Sequence, residues 1–299
     1  MESINPQVEI HIIEPNFELI TPQALSSSNP EIIFSRGGVR VARVSPTIVV
    51  KYGDDVHLIE ATTLEFLASH TSILVPRVYA AYTYGPFEDR DEESSSKYDT
   101  YIFMDFIDGQ TLDKEWSNLD DAAKSQVMAE LKGYLVQLRA IPGGTYIGSL
   151  DDGPVNDSIL EYWPTKGIDS SPTSFQRQSD IDSGPFASED DLNNALIDAY
   201  CASYKGEVRP FMTGMLNTHK HEVVFTHADF RPTNIILKNG HVVGIIDWEM
   251  AGWYPEHWEF VKAFYVWRWQ NDWGTRLLGV LQPYYCEQAV HARMTAVLI

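Results

Sequence analysis

One short run limits what this chain can fold into. Asn239-Gly240 separates two β-rich stretches, Asn234 to Lys238 and His241 to Ile246. Asn and Gly both accept positive φ at low cost, so the pair specifies a tight two-residue hairpin. The run before it reads Phe225-Thr226-His227-Ala228-Asp229-Phe230-Arg231-Pro232-Thr233-Asn234, a H-x-D-x-x-x-x-N pattern that opens directly into the first strand. Asp247 closes the second strand after Val242-Val243-Gly244-Ile245-Ile246. The hairpin therefore carries Asn234, where one strand begins, toward Asp247, where the other ends, and Asp229 lies on the loop leading in.

These residue types in this order suit phosphoryl transfer. A carboxylate accepts a proton from a hydroxyl, while an amide oxygen and a second carboxylate hold Mg²⁺ on nucleotide phosphates. Mg²⁺ takes oxygen ligands, only one or two of them from protein. Asp229 is the candidate base, and Asn234 and Asp247 are the candidate metal ligands. Asp and Asn also cap turns and end strands for structural reasons alone; the rest of the chain weighs against that simpler explanation.

Upstream, Glu31 to Arg36 and Val39 to Val44 flank Gly37-Gly38 and predict a hairpin, followed by a strand over Thr47 to Tyr52. Val56, Ile59, Thr63, Phe66 and Leu67 recur at helical spacing up to Ser69. Arg77 to Tyr84 and Thr100 to Phe106 predict two more strands, separated by an acidic, solvated loop over Glu88 to Lys97. Beyond Gly109 the pattern turns helical. Val127, Leu131, Tyr134, Leu135 and Leu138 form one stripe of a long helix starting near Asp120. Residues 142–187 have the composition of irregular loops, and Ser188 can cap the helix that follows. Glu256 to Trp269 and Arg276 to Tyr285 predict two further helices.

Lys51 ends a β-branched strand and Glu60 lies in the predicted helix, an arrangement suited to holding a lysine on phosphate oxygens. Glu65 is a competing partner. Gly37 and Gly38 fit a tight hairpin with or without a phosphate beneath them, although backbone amides there can lie over one.

The formal net charge is −20, from 22 basic and 42 acidic side chains. Such a surface repels nucleic acid and anionic membrane. It serves solubility first, and it also favours a cationic substrate. The sequence has two cysteines, Cys201 and Cys286, and neither a disulfide framework nor a metal-type spacing follows from them. The N-terminus lacks the features of a signal peptide and no apolar stretch reaches membrane-spanning length, so the expectation is a cytoplasmic protein.

The chain resembles the aminoglycoside phosphotransferase and choline kinase superfamily, in particular its fungal aminoglycoside phosphotransferase-like branch. The runs that carry the likeness are Val49-Val50-Lys51-Tyr52-Gly53, Glu60 to Leu67, Val75-Pro76-Arg77-Val78, Tyr101 to Gly109, Gly184-Pro185-Phe186, His227 to Leu237 and Ile246-Asp247-Trp248-Glu249. The resemblance implies an α+β, bilobal protein-kinase-like fold: an N-terminal β-rich lobe over 1–104, a hinge over 105–109, and a helical C-terminal lobe over 110–299. It implies ATP between the lobes and adenine on the backbone of Met104, Asp105 and Phe106. Lys51 and Glu60 would form the ion pair, Asp229 would be the base, and Asn234 and Asp247 the Mg²⁺ ligands. Two departures stand out. Ala228 occupies a position that is usually Gly. The Asp-Pro-x-x-Asp element that often follows the metal aspartate is replaced by Tyr254-Pro255-Glu256-His257-Trp258-Glu259, at the place where the catalytic loop is braced.

The expected function is thus ATP-dependent phosphorylation of a hydroxyl on a small molecule, with GTP and the identity of the acceptor left open. Trp248, Trp253, Glu249 and Glu256 either shape a cation-friendly acceptor pocket or pack the lower lobe. A protein kinase fits less well: no Ala-Pro-Glu follows Asp247, and residues 248–262 contain no Ser or Thr. A non-catalytic binding module is opposed by the retention of Lys51, Glu60, Asp229, Asn234 and Asp247.

Overall fold

The computed structural model describes residues 6–90, 94, 96–161, 183–203, 207–265 and 271–298. Parts of three expected segments lie outside the described residues: the middle of the acidic loop over 88–97, the middle of the loop region over 142–187, and the end of the helix expected over 256–269.

The chain divides into two compact units. One comprises residues 1–111 together with 235–246, the other 112–234 and 247–299. The hairpin, assigned from the sequence to the C-terminal lobe, groups with the first unit.

The first unit is built on a six-stranded antiparallel sheet. Its strands are β1 (Gln7–Ile13), β2 (Glu31–Arg36), β3 (Val39–Arg43), β4 (Ile48–Gly53), β5 (Val78–Gly85) and β6 (Asp99–Asp105), in the order β1-β5-β6-β4-β3-β2. The β-branched run of β4 takes a central position between β3 and β6 because its side chains are wanted on both faces. Ala42, Val50, Ala80, Tyr82, Tyr101 and Phe103 form one buried face. Leu25 of helix α1 (Pro22–Ser28), with Phe17, Leu19 and Ile20, covers it. Strand β1 and helix α1 go unread in the sequence.

Helix α2 (Ile59–His70) buries Glu60, Ala61, Thr63, Leu64 and Leu67. It starts at Ile59 rather than Val56, which is buried ahead of it. The Gly37–Gly38 turn joins β2 to β3. Gly37 has φ +54°, and a Cβ on Gly38 would come within 2.4 Å of Asp54 Oδ1. Close packing by Asp54 and Asp55 thus requires a glycine at position 38.

The strands Ile235–Lys238 and His241–Ile245 pair in register Lys238↔His241 and Ile235↔Ile245 across Asn239 (φ +53°) and Gly240 (φ +80°). This is the turn expected from the sequence. Gln110–Thr111 adds a third strand by pairing with Leu237 and Ile236, and the Ile245 amide donates to Leu74 O at 2.8 Å.

The second unit contains helices α3 (Leu112–Glu115), α4 (Asp121–Arg139), α5 (Ser158–Glu161), α6 (Glu189–Ser203), α7 (Arg209–Leu216), α8 (Trp258–Tyr265), α9 (Trp273–Leu277) and α10 (Tyr285–Leu298). Asp120 caps α4 by accepting from the Ala123 amide at 2.8 Å, and the stripe Val127, Leu131, Leu135 and Leu138 is buried as the spacing requires. Ser188 caps α6 by accepting from the Asp191 amide. The continuous helix expected over Arg276 to Tyr285 is not formed: α9 ends at Leu277 and α10 begins at Tyr285. Gly279 and Pro283 lie in the gap; proline lacks the amide a helix needs and disfavours helical backbone in the residue before it. The short strands Val223–Thr226 and Gly252–Pro255 pair antiparallel and lead into and out of the region of Asp229 and Asp247. No helix among the described residues is long and apolar enough to cross a membrane.

Candidate active site

In the second unit, the chain leaves the strand Val223–Thr226 and enters a loop fixed from several sides. The His227 ring is fully buried, lies 4.3 Å from the Trp248 ring, and accepts the Asp229 amide on Nδ1 at 3.1 Å. The His227 amide donates to Glu259 Oε2 at 2.8 Å. Ala228 is buried with φ +64°, a left-handed conformation that costs a residue bearing a Cβ about 1–2 kcal/mol. The loop's hydrogen bonds and packing hold it there.

Asp229 follows. Its Oδ2 accepts Asn234 Nδ2 at 2.8 Å and pairs with Arg231 Nη2 at 2.8 Å. Burial pushes this carboxyl up to about 7. Arg231, Lys262 and the Asn234 hydrogen bond oppose the rise, and the negative charge of Asp247 adds to it. A general base functions well with its pKa near working pH, and such perturbed groups concentrate at functional sites.

Asn234 ends the 3₁₀ turn Pro232–Asn234. Its Nδ2 donates both to the Asp229 carboxylate and to Asp229 O, the latter at 3.0 Å. Oδ1 accepts the Thr233 hydroxyl at 3.4 Å and, as an amide oxygen with two lone pairs, has one left to act as a ligand. An amide oxygen and the Asp247 carboxylate are hard donors, so the residues fit Mg²⁺.

Glu259, in the first turn of α8, braces the loop where the sequence departs from Asp-Pro-x-x-Asp. The side chain is entirely buried, and burial raises its carboxyl above the usual range against the pull of Arg139 and the His227 and Ala228 amides. Arg139, at the end of α4, donates to Thr226 Oγ1 at 3.2 Å and to Glu256 O at 3.3 Å, and burial lowers its guanidinium against the opposing charge of Glu259. The sequence shows Glu259 one position beyond the usual second Asp, and the structure has it holding the His227 amide from there. Arg231 also went unread; its signal in the sequence is a cation two residues beyond the candidate base.

Trp248 and Trp253 are both buried, Trp248 against His227 and Trp253 edge-on to Phe225 at 5.1 Å. Of the two expectations for these rings, packing is what the structure contains. Glu256 hydrogen-bonds Tyr284, so neither it nor Glu259 is an uncommitted carboxylate.

In the first unit, Lys51 Nζ lies 2.8 Å from Glu60 Oε2, with side-chain exposures of 8% and 2%, while Glu65 is exposed. Met104, Asp105 and Phe106 leave β6 with two backbone amides already engaged: Asp105 N donates to Arg77 O at 3.0 Å and Phe106 N to Thr47 O at 2.8 Å.

Solved structures with the same fold include a streptomycin–ATP ternary complex of the aminoglycoside phosphotransferase APH(2")-IIa. It has a TM-score of 0.54 and 13% identity, covering 93% of this chain and 87% of that one. A thermostable mutant of APH(4)-Ia with ADP and hygromycin B matches with TM-score 0.52 and 14% identity over 90% and 83% of the two chains. A putative fructosamine-3-kinase from Haemophilus somnus 129PT matches with TM-score 0.54 and 13% identity over 90% and 81%. These likenesses establish a bilobal, protein-kinase-like α+β fold. No curated protein matches the chain by sequence. The model of the phosphotransferase enzyme family matches residues 54–297, most of the chain, and the protein belongs to that family.

Proposed function

We propose that the protein transfers the terminal phosphoryl group of ATP to a hydroxyl of a small molecule, with Mg²⁺. The observation that carries this is the geometry at Asp229: a largely enclosed carboxylate whose Oδ2 is held at 2.8 Å by both Asn234 and Arg231. Asp229 orients the acceptor hydroxyl and takes its proton as the oxygen attacks. Asn234 Oδ1 and the Asp247 carboxylate hold Mg²⁺, which when bound neutralises phosphate charge. Lys51, kept in place by Glu60, supplies a further positive charge to the phosphates. Most of the rate enhancement in such a reaction is positioning and charge stabilisation, which are what these residues provide.

Residues 105–109 act as the hinge in this reading. Carbonyl groups of Met104 to Phe106, rather than the amides of Asp105 and Phe106, meet adenine. The neighbouring structures with aminoglycosides and a fructosamine kinase make a small polyhydroxylated acceptor the favoured class. A positive charge on it rests on Glu249 and the overall net charge, since Glu256 and Glu259 are committed elsewhere.

The test is ligand-dependent stability. Mg²⁺-ATP raises the melting temperature, because a ligand that binds only the folded state stabilises it. Asp247→Ala abolishes the Mg²⁺-dependent part of the rise. Folded protein with no shift at millimolar Mg²⁺-ATP would overturn the reading.

A further inference from the structure

Nine histidines occur in the sequence, and three gather away from the catalytic loop in the second unit. His221 lies between α7 and the strand Val223–Thr226, His257 immediately precedes α8, and His291 is in α10. The His257 ring is 4.5 Å from that of His221 and 5.5 Å from that of His291. Glu189, the first residue of α6, reaches into this group. Its Oε1 lies 2.7 Å from His221 Nδ1 and 3.8 Å from His257 Nδ1, and its Oε2 accepts the His221 amide at 3.0 Å. One ligand atom each from Glu189, His221 and His257 falls within 4.8 Å of the other two.

Hydrogen bonding explains half of this arrangement. Glu189 and His221 satisfy one another and are both buried, with side-chain exposures of 6%. His257 and His291 are left over: the His257 side chain is 4% exposed, and its Nδ1, like both ring nitrogens of His291, has no hydrogen-bond partner among the described residues. Burying a polar atom without a partner is costly. It points to something that the protein atoms do not provide.

We infer that Glu189, His221 and His257 bind one Zn²⁺ ion as a two-histidine, one-carboxylate site. Zn–N and Zn–O bonds of about 2.0–2.2 Å in tetrahedral geometry place ligand atoms roughly 3.3–3.5 Å apart. The 3.8 Å between Glu189 Oε1 and His257 Nδ1 is close to that already, and the 2.7 Å to His221 Nδ1 opens as the ion replaces a shared proton. His221 then carries its proton on Nε2, which faces Glu287 Oε1 at 3.6 Å. A carboxylate behind a metal-bound histidine fixes its tautomer and strengthens it as a ligand. A nitrogen-rich donor set selects Zn²⁺ over Mg²⁺. The ion ties the start of α6, the segment before the strand Val223–Thr226 and the start of α8 to one point. His257 is two residues from Glu259, which braces the catalytic loop.

The full chain, stripped by a chelator and dialysed, is titrated with Zn²⁺ in competition with a chromogenic chelator. About one equivalent binds with sub-micromolar affinity, and the melting temperature rises with it. Glu189→Gln and His257→Gln each weaken binding by at least about a hundredfold. Asp247→Ala binds Zn²⁺ as the unaltered chain does, which separates this site from the proposed Mg²⁺ site. If neither Gln variant folds, Co²⁺ added to the unaltered chain decides: intense visible bands of a tetrahedral nitrogen-ligated ion support the site, and only the pale spectrum of hydrated Co²⁺ refutes it. Zn²⁺ affinity weaker than about 10 μM in the unaltered chain, or folded Gln variants that bind like it, also overturns the proposal.

Discussion

Asp157 is a buried acid whose removal has a calculable cost. Its side chain is fully enclosed, and Lys262, on α8, is 10% exposed. Asp157 Oδ1 accepts Lys262 Nζ at 2.9 Å and the Ile159 amide at 3.0 Å, and Oδ2 accepts Trp258 Nε1 at 3.3 Å. Asp157→Ala deprives three donors of this acceptor, and one of them is an ammonium held almost out of water. Breaking a buried pair from one side costs about 3–5 kcal/mol, because the remaining charge stays desolvated. At about 1.4 kcal/mol per tenfold, the folding equilibrium falls by roughly two to nearly four decades. Lys262→Met alone leaves a buried carboxylate and costs a similar amount. Asp157→Leu with Lys262→Met leaves no ion to desolvate, so the double variant is more stable than the sum of the single losses by about 2 kcal/mol or more. Urea denaturation, followed by tryptophan fluorescence and far-ultraviolet circular dichroism, measures each value, and an unchanged slope shows that only stability moved. A loss under about 1 kcal/mol for Asp157→Ala, or single losses that simply add, would refute the reasoning.

Asp229→Asn keeps the shape of the proposed base but cannot accept the proton; turnover falls by about a hundredfold or more while Mg²⁺-ATP still raises the melting temperature. Glu259→Ala leaves the His227 amide without its acceptor in a fully buried place, costing about 1–3 kcal/mol and lowering turnover with it, as denaturation and steady-state kinetics report. Arg276, Lys124 and Trp116 hold the Asp272 carboxyl well below the usual range. Its contribution is therefore fully present above the unfolded-state value near 4 and declines as pH falls below it, so Asp272→Asn is less stable at pH 7 and the gap narrows toward pH 3. Parallel denaturation series at the two pH values check the sign.

Elements set by local chemistry were legible in the sequence. Asn239-Gly240 specified its turn, Ser188 its helix cap, and the spacing from Val127 to Leu138 the buried face of a helix starting near Asp120. Strand β1 was harder to read. All of its residues but Ile12 are exposed, so no buried face marks it. At the candidate site, Asp229, Asn234 and Asp247 stood out because the proposed chemistry fixes both residue type and spacing. Glu259 was visible only as a carboxylate one position off the usual pattern, because a brace needs no more than a carboxylate that reaches the loop, and Arg139 carried no signal of its own. Trp248 and Trp253 were ambiguous because a ring that packs and a ring that lines a pocket look the same in sequence. The Glu189–His221–His257 group is assembled from three distant segments, and no local spacing announces it.

Both units are discontinuous in sequence, and this bears on how the protein is made. The first unit includes residues 235–246, so it stays unfinished until that hairpin has emerged from the ribosome. Until then Gln110–Thr111 has no strand to pair with and Leu74 O lacks the Ile245 amide. Synthesis at roughly 5–20 residues per second leaves the β-rich unit incomplete for about 7–27 seconds after residue 111 has been added. The finished unit keeps β2 as an edge strand with Ile32, Ile33 and Phe34 exposed, so the surface to which other chains can adhere is present before and after the hairpin docks.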